Sequence, residues 1–232
     1  MTLLPWTEIL DRSAILDTET TDAKERDGVV PQVIELCYTY KGQEFVRRYM
    51  PDVPVRWGAI AVHHILPSEL HGGLPSAMAL TDAPVSAEFW IGHNVDFDWK
   101  MLGSPPVKRI CTLALSREIW PEVDSHTLTA MTYFTRGANE ATRQALRSAH
   151  SALADVEHCR ALLETIIETC RIETLEQLYS LSEEARIPKK MSFGKFAGEP
   201  ISAVDRGYAN WYRKQADPDP YLLEAFKRQG LI

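Results

Sequence analysis

Asp17 and Glu19 stand one residue apart at the end of the apolar run Ala14-Ile-Leu16. In a strand, residues two apart emerge on the same face, about 7 Å apart along the backbone. Two carboxylates brought within about 4 Å at an effective dielectric of ~20 repel by about 4 kcal/mol. A divalent cation, which prefers hard oxygen ligands, is the usual compensation. The plainer alternative is a turn leaving a strand with both acids in water, and further ligands must decide between the two. The sequence offers two more clusters. Gly92-His-Asn-Val-Asp-Phe-Asp98 closes a short apolar run and opens a helical pattern, and His150-Ser-Ala-Leu-Ala-Asp155 enters a longer one. Helix positions five apart differ by about 140°, so Asp155 can project inward while His150 reaches the same site only from the loop before the helix. A loop histidine beside a carboxylate-bound metal has the chemistry of a general base for water.

The elements that must place these groups follow from pattern. Ala14–Asp17 is expected as the first strand. Val33–Tyr40 and Glu44–Met50 are β-rich runs around Lys41-Gly42, a hairpin, so three strands open the sheet, antiparallel. Pro67-Ser-Glu-Leu70 is expected to start a helix. Glu88–Gly92 and Val107–Cys111 are expected as short strands. Helices are expected over Val95–Leu102, Leu113–Trp120, Leu128–Phe134, Ser151–Cys170 and Leu175–Arg186. Strands alternating with helices indicate an α/β three-layer domain. The character changes near Ile187, so the expected organisation is a main domain over 1–186 and a small α+β appendage over 187–232, with a tight hairpin across Met191–Ile201 and two short helices.

Composition sets bounds. The chain has 232 residues, 45% hydrophobic and 25% charged, as in ordinary globular proteins. It holds no apolar run long enough for a membrane span, and its start lacks the n- and h-regions of a signal peptide. The four cysteines are scattered without a C-x-x-C pair, which argues against a zinc site or disulfide scaffold and for a reducing cytoplasm. The net charge of −7 is uneven: residues 189–232 hold eight Lys/Arg against five Asp/Glu, a local +3.

With these residues in view, the chain resembles the DEDDh 3′–5′ exonucleases. The family's D-x-E-T-T motif matches Asp17-Thr-Glu-Thr-Thr21. H-N-x-x-F-D matches His93 to Asp98, H-x-x-x-x-D matches His150 to Asp155, and an apolar-His-x-Ile step matches Val62-His-His-Ile65. The resemblance covers about residues 12–170, and the runs Ile110–Pro121 and Met191–Ile201 match one branch of the family. It implies a ribonuclease H-like three-layer mixed β-sheet flanked by helices. It further implies Mg²⁺-dependent 3′–5′ exonucleolysis that releases nucleoside 5′-monophosphates from DNA 3′ ends. Two magnesium ions, replaceable by manganese, would be held by Asp17, Glu19, Asp98 and Asp155, with His150 as base. Thr18, Thr20, His64, Asn94 and Phe97 would meet the strand end.

Several of these residues have competing roles. The family register favours Asp98 over Asp96, whose charge suits a helix start. Thr20 can serve a turn, and His64 and Phe97 can be packed core. Lys24 and Arg26 lie in a charged loop, Asp22–Asp27, where the family often has glycine, so contacts there are not carried over. Tyr208, Trp211 and Tyr212 have the spacing of a packed helical stripe, whereas aromatics interleaved with Arg213 and Lys214 could also meet a single strand. RNA is the alternative substrate, and no residue declares a preference for the 2′-hydroxyl. A catalytically inert binding module is the rival from another class, disfavoured by the intact acid and base set.

Overall fold

A run of apolar residues broken by turn residues on both sides gives the first strand, and a computed structural model describes residues 2–147 and 152–232. Helix α1 (Trp6–Arg12) leads into β1 (Ser13–Thr20), followed by β2 (Val33–Tyr40) and β3 (Gln43–Met50). Next come α2 (Trp57–His63), β4 (Leu74–Pro75), α3 (Ala79–Asp82), β5 (Phe89–Gly92), α4 (Val95–Met101) and β6 (Lys108–Cys111). The remaining helices of this region are α5 (Thr112–Ile119), α6 (Leu128–Arg136), α7 (Glu140–Arg147), α8 (Ala152–Cys170) and α9 (Leu175–Ala185). Two short ones, α10 (Arg206–Tyr212) and α11 (Pro220–Arg228), close the chain. The chain divides into two compact units, Met1–Ser182 and Glu183–Ile232.

Among the described residues six strands form one mixed sheet in the order β4-β3-β2-β1-β5-β6. β2 pairs antiparallel with both β1 and β3, as expected from the Lys41-Gly42 turn, and β4 adds in parallel at the outer edge of β3. Both turn residues have positive φ, 51° and 71°, the requirement of the type I′ turn that matches strand twist. β5 and β6 add in parallel on the other side of β1. β1 is therefore central, and Ala14, Ile15 and Leu16 are almost wholly buried, each large side chain contributing about 1.5–3 kcal/mol.

Two local features aim the end of β1. Glu19 pairs with Glu35 but Thr20 with Val33, so the register slips just past Glu19. Such irregularities re-aim side chains at strand ends. Gly92 ends β5 beside β1, where a Cβ would lie 3.1 Å from the Leu16 carbonyl oxygen and 3.2 Å from the Val95 Cβ. That close approach lets the chain turn through Asn94, at φ 78°, into α4. Helix α8 packs on β1 and β2 through Val156, Cys159, Leu162, Leu163, Ile166 and Ile167, all buried. This helical spacing fixes which way its first turn points.

The structure departs from expectation in several places. Pro67–Leu70 is a single 3₁₀ turn, closed by Glu69 Oε2 accepting the Leu66 N–H at 2.7 Å. In the C-terminal unit, Met191–Ile201 is not a strand hairpin. Lys190 and Pro200 form an isolated bridge around a 3₁₀ turn at Gly194–Phe196, and Pro200, with no N–H, cannot extend a ladder. The unit has its own core of Met191, Ile201, Val204, Ala209, Leu222, Ala225 and Phe226. The expected three-aromatic stripe is only partly packed. Tyr212 is buried and Tyr208 half-buried, but Trp211 is 54% exposed. At about 100° per residue the inward direction of α10 runs through Ala209 and Tyr212, and Trp211 falls well to one side of it.

Candidate active site

Cross-strand partners share a face of the sheet, so the pairs Asp17–Cys37 and Glu19–Glu35 set Asp17, Glu19 and Glu35 on one face. Helix α8, packed over the same two strands, brings Asp155 from its first turn. Carboxylate oxygens of Asp17, Glu19 and Asp155 all lie within 4.8 Å of one another. Asp98 comes from α4 and is 3% exposed. Its Oδ1 accepts the Thr18 backbone N–H at 2.9 Å and the Thr18 hydroxyl at 2.7 Å. Thr18, expected at the strand end, thus also orients an acid. His150 lies outside the described residues.

The electrostatics show what this arrangement lacks. Burial, then the charges of Asp98, Glu19, Asp155 and Glu35, push the Asp17 carboxyl well above its ordinary range. Burial, then Asp155, Glu35 and Asp98, push Glu19 up to about 7. Burial pushes Asp98 up to about 7 against the opposing hydrogen bonds from Thr18, and pushes Asp155 up to about 6. Four carboxyls that resist ionisation together form a donor set a hard divalent cation would relieve. The residues fit such an ion.

Beside the acids lies a hollow of about 390 Å³ bordered by Thr18, Glu19, Thr20, His63, Asn94 and Phe97. Asn94 is exposed there, and Phe97 is half-buried at the edge of the hollow, not sealed in the core. Thr20 reaches the hollow while its hydroxyl donates to the Asp22 carbonyl at 2.7 Å, so a turn role and a lining role coincide. His64 does not line the hollow; His63 does. His64 is the left-handed C-cap of α2 at φ 56° and is exposed, a position that turns a side chain off the helix end. His63 is 4% exposed, and its Nδ1 accepts the Ile65 N–H at 2.9 Å, so Nε2 carries the ring proton. Arg26, in the charged loop, also borders the hollow and pairs with Asp22 at 2.7 Å. Asp96 pairs with Arg109, away from the acids' roles.

Among curated proteins, the chain is 30% identical over 210 residues to exodeoxyribonuclease 10 of Escherichia coli K12, covering 88% of this chain and 91% of that protein. The chain belongs to the exonuclease X family of DEDDh 3′–5′ exonucleases. A solved structure of exonuclease X in complex with 5′ overhanging duplex DNA superposes with a TM-score of 0.55 at 25% identity, over 73% of this chain and 99% of that one. E. coli exonuclease I in complex with a dT13 oligonucleotide shares the fold, with a TM-score of 0.53 at 16% identity over 77% of this chain and 44% of that one. No family model matches the chain. The mixed sheet flanked by helices is thus the ribonuclease H-like fold of the exonuclease X family, and the chain is an exonuclease.

His93, first residue of the family's second motif, does not border the hollow. Its Nδ1 lies 3.0 Å from the Thr112 hydroxyl and its Nε2 2.8 Å from the His126 carbonyl oxygen. Burial pushes its pKa down to about 4, so it is neutral and tied on both sides. Sequence reasoning passed over two residues near the acids. His63 stands next to the histidine chosen for the pocket. Glu35, 2% exposed, was visible only as one acid inside the apolar run Val33-Ile-Glu-Leu-Cys37.

Proposed function

We propose that this chain removes nucleoside 5′-monophosphates from DNA 3′ ends by a two-magnesium mechanism, with Asp17, Glu19, Asp98 and Asp155 as the metal ligands and His150 as general base. The observation that carries this reading is the convergence of Asp17, Glu19 and Asp155 within 4.8 Å of one another beside a hollow of about 390 Å³, within the size range of small-ligand sites. Bound divalent cations would supply the positive charge that makes an attacking water acidic and stabilises the departing 3′-oxygen.

The chain's own residues supply the rest. Thr18 fixes the Asp98 carboxylate by two hydrogen bonds, so one ligand is oriented before substrate arrives. Thr20, His63, Asn94 and Phe97, which border the hollow, would surround the terminal nucleotide, with Phe97 offering a ring face. His150, the base that the motif spacing assigns, accepts the proton of the attacking water. The DNA-bound state of the exonuclease X structure supports DNA as substrate.

A mixture of matched 5′-labelled DNA and RNA oligonucleotides, digested in Mg²⁺ with released products identified by mass, tests the proposal. Faster loss of DNA with release of deoxynucleoside 5′-monophosphates is expected. Faster loss of RNA would replace it with 3′-end trimming of RNA. Binding without loss of either strand would leave an inert binding module.

A further inference from the structure

Helix α8 delivers Asp155 to the acids, yet the first N–H groups of any helix have no partner within it. Here one of them is met from far away in sequence. The Ala152 N–H, at the start of α8, donates to Glu35 Oε2 at 3.1 Å. The other oxygen, Oε1, accepts from Arg48 Nε at 2.7 Å, and Arg48 reaches on to Glu69 at 2.7 Å. Glu35 is 2% exposed and stands on β2 opposite Glu19. A buried carboxylate is costly unless paired and hydrogen-bonded, and both of its oxygens are used. Pairing with Arg48 keeps Glu35 engaged away from a metal, while the helix dipole favours its negative charge at the start of α8.

We propose that Glu35 is a positioning residue: by spanning Arg48 on β3 and the Ala152 amide, it locks the first turn of α8, and with it Asp155, in register with Asp17 and Glu19. Asp155 lies three residues beyond the anchored amide, so a first turn free to fray would loosen one ligand while leaving the strand-borne ligands in place. This inference rests on reading the acids as a metal site, but part of its test does not.

The test compares Glu35→Asp and Glu35→Ala with the wild type in the full-length protein. Glu35→Asp keeps the charge and shortens the reach; Glu35→Ala removes both. Hydrogen–deuterium exchange is measured without metal, at residues 152–156 and in the middle of α8. Mn²⁺ affinity is titrated separately, and kcat and KM are measured on a single-stranded oligonucleotide. In both variants exchange of the first turn is expected to quicken about tenfold, the loss of one charge-assisted hydrogen bond, with the middle of α8 unchanged. Mn²⁺ affinity is expected to fall by about tenfold or more, and kcat to fall at unchanged KM. Should Glu35→Ala fail to fold, Glu35→Asp alone decides. First-turn exchange at the wild-type rate, or uniform quickening along α8, would overturn the proposal. So would a Glu35→Asp protein that matches the wild type while Glu35→Ala alone loses Mn²⁺, because charge rather than reach would then be what matters. A wild type that binds no Mn²⁺ would sink the metal-site reading instead, and the exchange result would still judge Glu35.

Discussion

Glu19→Gln should stabilise the metal-free protein, although it removes a residue placed in the active site. Burial and the neighbouring acids push the Glu19 carboxyl from 4.5 up to about 7. At 1.36 kcal/mol per pH unit, that costs the folded state on the order of 3 kcal/mol once the group is ionised. Coulomb's law gives a similar size: two charges at the 4.8 Å limit of the cluster, at an effective dielectric of ~20, repel by about 3 kcal/mol. Between pH 4.5 and about 7 the folded protein holds a proton that the unfolded chain has released. Stability is therefore fully present below the lower value and is lost as pH rises through the upper one. Gln keeps the shape and cannot ionise. Urea unfolding in EDTA should show Glu19→Gln more stable than wild type by about 3 kcal/mol at pH 8, and by under about 1 kcal/mol at pH 5. Saturating Mg²⁺ should reverse the order at pH 8, since only the wild type offers the full ligand set. A variant less stable than wild type at pH 8 in EDTA, or a difference independent of pH, would refute the reasoning.

Three further outcomes are expected. His150→Gln should leave Mn²⁺ affinity largely intact and lower kcat by about 10²–10⁴; an effect confined to KM would make His150 a binding residue. Phe97→Ala should raise KM for oligonucleotides at nearly unchanged stability, because the ring is only half-buried at the hollow; a loss of several kcal/mol in unfolding would return it to the core. Removing residues 187–232, with their local charge of +3, should weaken DNA binding more at low salt than at high and flatten the log–log salt dependence by about 0.7 per lost phosphate contact on a single strand. Equal binding at every salt concentration would exclude an electrostatic role for this segment.

All the sheet's strands but the two-residue β4 were legible, because their signals are local. Apolar runs, two positive-φ residues at Lys41 and Gly42, and a strand ended by Gly92 leave few alternatives. Helices that bury little were not legible. α1 buries only Ile9, and among the described side chains of α7 only Thr142 is buried. Asp17, Glu19, Asp98 and Asp155 were visible through motif spacing, and the structure brings them together from β1, α4 and α8. The choice between His63 and His64 was not visible, because it depends on where α2 ends and on the left-handed turn at His64. Glu35 carries no motif of its own: its part emerges only when β2 is laid beside β1 and the start of α8. In the tail, the fate of Trp211 hung on the direction in which a seven-residue helix faces its core, which spacing alone left open.

The central claim is that these acids drive metal-dependent shortening of DNA from the 3′ end. Digestion of a 5′-labelled single-stranded DNA by wild type in Mg²⁺, by wild type in EDTA, and by Asp17→Ala in Mg²⁺ tests it directly. A ladder of progressively shorter labelled products in the first lane alone is the predicted result. Shortening that persists in EDTA or in the Asp17→Ala lane would contradict it.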